Sequence, residues 1–184
     1  MIISHNREKL LNAIIYFISN CGLVGKTKLF KLLYFLDFEH FKETGRSVTG
    51  LEYQAWKMGP VPVALQEEIE QPEQDLNEKI DIEILESKKG YTFTNFKPKT
   101  DFDATHFTRR ELRLLEDIAS RYDMCNAQEM VYWTHIEKEP WHRVWEIENR
   151  RFEKIPYEYI LDEEDDNFIK SLVIERQEFI ENYQ

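Results

Sequence analysis

The chain has 184 residues, a formal net charge of −11 and a pI near 5.0, a balance that argues against general affinity for nucleic acid, whose phosphates attract clustered Lys and Arg. Its apolar runs fall far short of the roughly 18 to 20 residues that span a bilayer, and no basic and apolar leader opens it, so a soluble cytoplasmic protein is expected. The length suits one domain, able to bury about 70% of the surface of its unfolded chain, and the two cysteines, Cys21 and Cys125, read as reduced thiols rather than a disulfide framework.

In chain order, a first amphipathic helix opens at Ser4 or Asn6, carries Leu10, Leu11, Ile14, Ile15, Phe17 and Ile18, and ends at Gly22. The stretch from Thr27 to Glu43 follows, with Thr27 as its expected cap and Gly45 as its stop. Its apolar residues (Leu29, Phe30, Leu32, Leu33, Tyr34, Phe35, Leu36, Phe38 and Phe41) cover most of the circumference, the pattern of a central helix packed on several sides. After Gly45 the period falls to 2 and predicts a strand from Leu51 to Trp56, stopped by Gly59, Pro60 and Pro62. A short helix from Val63 to Ile69 and a polar loop through Pro72 lead to a hairpin, Ile80 to Glu86 and Tyr91 to Phe96. Ile80, Ile82 and Ile84 are expected to face Tyr91 and Phe93 across it. Because a lone hairpin is marginal, this one is expected to join the Leu51 strand in a three-stranded antiparallel sheet.

Thr108 with Glu111, and Asn126 with Glu129, are capping boxes that open two further helices, and Pro140 suits the first turn of a third. Arg150 to Tyr159 reads as a linker. A last helix opening at Asp162 docks on the core or on another subunit, as in a homodimer. From Glu158 onward nine acids face only Lys170 and Arg176, so most of the net charge sits in this tail. A solvated face is the plain reading of such a run, and a docking surface for a basic partner the functional one.

The expected fold is α+β and predominantly helical, with helices around a central buried helix and a small three-stranded antiparallel sheet. No catalytic or metal constellation emerges. His5, His40, His106, His135 and His142 lack metal-ligand spacing, and GLVGKTK is too short for a phosphate loop. No cofactor or enzymatic activity is expected. A helix-turn-helix regulator and a protein-binding module stay open, although the second helix is too apolar all round to read a groove.

Four pieces together resemble the Panacea domain family, the SocA-like antitoxins, also met as phage-associated proteins of the GepA type. They are KLFKLLYFLDF (Lys28 to Phe38), GRSVTGLEYQAWKMGPVPVAL (Gly45 to Leu65), FTRREL (Phe107 to Leu112) and MVYWTHIEKEPW (Met130 to Trp141). The resemblance implies a Panacea domain over residues 1 to 149 and an added linker and acidic helix over 150 to 184. It implies an antitoxin that neutralises a cognate toxin by direct binding. Its alternatives are an adaptor that presents the toxin to a cellular protease and an autoregulator of its operon, though no added DNA-binding domain is found. The motif positions are Lys31, Tyr34, Asp37, Trp56, Gly59, Pro60, His135 and Trp141, expected to form a structural network. In the tail, Glu163, Asp166, Phe168, Leu172 and Phe179 are candidate partner contacts.

Overall fold

The structure, a computed structural model, describes residues 5–87, 90–136, 139–161 and 167–183. Helix α1 (Asn6–Asn20) buries Leu10, Leu11, Ile14, Ile15 and Phe17, which recur at steps of three and four. Helix α2 (Lys26–Thr44) starts behind Gly25 without a side-chain cap, so Thr27 lies inside its first turn. It ends where Gly45, at φ 67°, returns its amide to the Phe41 carbonyl at 2.8 Å. Thirteen of its nineteen residues are buried, among them the charged Lys28, Lys31 and Asp37.

Elements from both sides of it in sequence pack against this helix. Strands β1 (Gln54–Trp56) and β2 (Gly59–Val61) lead into α3 (Val63–Glu70) and α4 (Gln74–Lys79). The ribbon β3 (Ile80–Glu86) and β4 (Thr92–Pro98) precedes α5 (Arg109–Tyr122) and α6 (Ala127–Thr134), both opened by the expected capping boxes. A short α7 (Pro140–His142) runs into a π turn (Arg143–Ile147), a 3-10 turn follows (Tyr157–Ile160), and α8 (Asn167–Tyr183) comes last. The fold is α+β with helix dominant.

The expected three-stranded sheet is not what forms. Among the described residues there are two separate two-stranded ribbons, β1 with β2 and β3 with β4. The reason lies at β1, whose two edges are both taken. On one side Ala55 pairs with Pro60 and Trp56 with Gly59, so the Gly-Pro stretch expected to stop the strand is its partner. On the other side the Phe152 amide donates to the Ala55 carbonyl at 2.8 Å, the Ala55 amide to Glu153 at 2.9 Å, and the Ile155 amide to Tyr53 at 2.8 Å. No edge remains for the second ribbon. That ribbon packs instead on α1 and α4, where Ile80 and Phe96 are buried.

Three local expectations are corrected as well. The segment from Arg150 to Tyr159 is no free linker: Ile155 is 1% exposed, and the Tyr157 ring stacks on Phe41 while its hydroxyl donates to the Leu51 carbonyl. The polar stretch after Pro72 forms α4, anchored by buried Leu76 and by Arg7, which grips both Glu68 and Asp75. In the ribbon, Phe93 stands opposite Leu85, and Ile84 opposite Thr94, because the register is one residue off the expected one. Such a slip moves a side chain to the other face.

If residues 150–157 are part of the body, Ile155→Ala is expected to cost about 3 kcal/mol, as for other buried Ile truncations. Urea unfolding measures it, and a loss below about 0.5 kcal/mol, normal for an exposed linker, would contradict the packing described.

Candidate functional site

The second helix sets the candidate site. Lys31, Tyr34, Asp37 and Phe38 recur at steps of three and four along one side, and the segment from Val48 to Val61 runs past them. Lys31 Nζ donates to the Pro60 carbonyl at 2.7 Å. Burial, with no carboxylate to oppose it, pushes its ammonium down to about 7. A side chain on Gly59 has nowhere to go, because an added Cβ would lie 2.7 Å from Thr134 Oγ1 and 2.8 Å from Lys31 Cε. Its φ of +94° adds a second demand for glycine.

Two turns along α2, fully buried Asp37 accepts from the amides of Val48 at 2.8 Å and Thr49 at 2.7 Å, from the Thr49 hydroxyl, and from the Tyr53 hydroxyl at 2.8 Å. Burial raises its pKa to about 6, while these donors pull it the other way. Between the two charges, the Tyr34 hydroxyl reaches the Glu139 carboxylate at 3.4 Å, and its ring packs on Phe38 and Tyr53.

The third part comes from far along the chain. Trp141, placed at the start of α7 by Pro140, donates its indole N–H to the Trp56 carbonyl at 2.9 Å. The His135 ring lies parallel to it at 3.6 Å. Among the described residues His135 Nε2 is buried without a partner, and burial together with the Lys31 charge pushes the imidazole down to about 4. It is therefore neutral at pH 7.

Lys31, Gly59, Pro60, Trp56, His135 and Trp141 thus form one cluster, with Tyr34 beside it and Asp37 farther along α2. The tail residues lie elsewhere. Helix α8 touches the end of α2 through Val173, whose Cγ2 would stand 3.1 Å from a Cβ on Gly45. Phe168 is 61% exposed and Leu172 half-buried, while Glu163, Asp166 and the Phe179 side chain lie outside the described residues.

The model of the family described as antitoxin SocA-like, Panacea domain, matches residues 29–142, more than half of the chain. The protein belongs to the Panacea domain family. Neither a search of curated proteins nor one of solved structures finds a match. Membership points to an antitoxin role with a toxin as partner.

Within this Panacea domain, sequence reasoning missed Thr49, Tyr53, Thr134 and Glu139. Thr134 stands beside His135 and Glu139 beside Pro140-Trp141 within the quoted MVYWTHIEKEPW, a signal that adjacency could have supplied. Thr49 and Tyr53 carry no local signal, since their roles come from a side chain on another element. For metals, Glu68, Glu73 and Asp75 bring ligand atoms within 4.8 Å of one another, but the Arg7 guanidinium occupies that cluster. Lys31, Asp37 and Trp141 each bond backbone groups of the stretch from Val48 to Pro60, which suits holding that stretch in place.

Two outcomes test this geometry. Gly59→Ala is expected to cost at least about 2 kcal/mol, from strain at positive φ and from overpacking, and a variant of unchanged urea midpoint would contradict it. Lys31 has a folded pKa of about 7 against an ordinary 10.5. Its contribution is therefore present above about 10.5 and is lost as pH falls through about 7. Stability followed from pH 10 to 7 should decline less in Lys31→Met than in the wild type; identical slopes would place the Lys31 ammonium in solvent.

Proposed function

We propose that the protein neutralises a cognate toxin by binding it directly. The match of the antitoxin family over residues 29–142 carries this reading. Two physical features support it. The matched polar residues Lys31, Asp37 and Trp141 are engaged in fixing the fold, which leaves recognition to the surfaces above them. The net charge of −11 suits a partner with a basic cleft, the kind that holds the phosphates of RNA or nucleotides. The main contact lies on the matched region, with exposed Phe168 and half-buried Leu172 of α8 as further contacts.

The test is co-expression of the full chain with the toxic product of the gene beside it. Restored growth together with a complex of fixed stoichiometry on gel filtration is the expected result. Restored growth with no complex, the toxin vanishing except in cells that lack a given protease, would replace occlusion by delivery for proteolysis. A salt-dependent shift of upstream DNA by the protein alone, without toxin binding, would make it a regulator instead.

A further inference from the structure

Beside the motif cluster runs a groove of about 680 Å³ between α7 with its π turn, the 157–160 turn and α8. Its lining includes Glu139, Arg143, Ile147, Tyr159 and Ile174. Glu139 is half-buried, and the Tyr34 hydroxyl meets it at 3.4 Å, longer than an optimal O–H···O bond. Among the described residues no cation forms an ion pair with it. Glu39 adds repulsion, and Lys42 gives a weaker attraction.

The cations of the groove are committed elsewhere. Arg143 bonds Glu148 at 3.0 Å and lies over the Tyr159 ring at 3.8 Å, and Lys170 has a partner of its own. Glu158 accepts from Gln177, and His142 is a further lining residue. Burial pushes Glu139 up to about 7. A carboxyl held this way is a cost to the free fold, and an opposite charge is what would offset it. The π turn that forms one wall is a rare local geometry found frequently at functional sites.

We propose that this groove receives a protruding Lys or Arg side chain of the bound toxin, with the Glu139 carboxylate as its counter-ion. Tyr34 holds that carboxylate in place, while Ile147, Tyr159 and Ile174 pack along the aliphatic stem. The complementarity is one of charge, an acid with no ion-pair partner among the described residues, on an acidic protein, against a basic partner. The proposal rests on the toxin-binding reading above and adds to it the anchor and its chemistry.

The probe is the toxic product of the neighbouring gene, purified with the full-length chain. Glu139→Gln is expected to weaken the complex at least tenfold, about 1.4 kcal/mol, while the Tm of the free variant stays equal or rises. A purely structural role for Glu139 would lower the Tm instead. Ile174→Trp, which fills the groove from its exposed wall, should weaken binding as well. Glu175→Gln, which removes an exposed acid from the same helix, should change it less than twofold. Binding by Glu139→Gln within twofold of a wild type that does form the complex overturns the anchor and leaves the antitoxin reading standing. A wild type that forms no complex overturns both.

Discussion

Two opposite charges are buried on one helix without touching each other, and the fold is arranged to satisfy them. Lys31 and Asp37 lie six residues apart on α2, about 9 Å along its axis and too far for direct pairing, and each finds its partners on the same stretch of chain. The carboxylate collects the amides of Val48 and Thr49, and the ammonium takes the Pro60 carbonyl. An ion left alone in such a place would cost several kcal/mol. The stretch from Val48 to Pro60 is thereby held along α2 at both ends, and β1 is held between them. Trp141 then closes on the Trp56 carbonyl, so a residue 85 positions away depends on the same placement.

Local signals were legible wherever one stretch of chain decides its own structure. The capping boxes at Thr108 and Asn126, the left-handed stop at Gly45 and the β3–β4 ribbon all follow from residues within a few positions of each other. What sequence did not disclose depends on distant partners. Gly59-Pro60 looks like a turn until Ala55 and Trp56 pair with it, and Pro156 marks a linker until Ile155 and Tyr157 find the groove beside Tyr53 and Phe41. The register of the ribbon puts Ile80 and Phe96 in the core, and one step of slip reverses the facing of Phe93. Of the motif cluster, the residue types and their order were visible, while the convergence of His135 and Trp141 on Trp56 required the fold.

The family assignment and the geometry bear on different levels. Membership says what kind of partner to look for, and the buried network says which residues are occupied in shaping the surface that partner would meet. Helix α8 relates to both, resting on the end of α2 through Val173 at Gly45 while leaving Phe168 exposed. Gly45 serves two purposes there, since it turns the chain at positive φ and offers no side chain to obstruct Val173.

The backbone bonds from Phe152, Glu153 and Ile155 to β1 have a consequence in time. During synthesis the chain emerges N-terminus first, so the outer edge of β1 has no partner until about ninety residues beyond β2 have been made. A bare edge is a template for pairing with any other extended chain. The pairing that seals it spans most of the molecule, and contacts of such long range are slow to close. A nascent protein that has already made every residue matched by its family is therefore still open at β1, and the short stretch that follows acts as the clasp that ends this exposure.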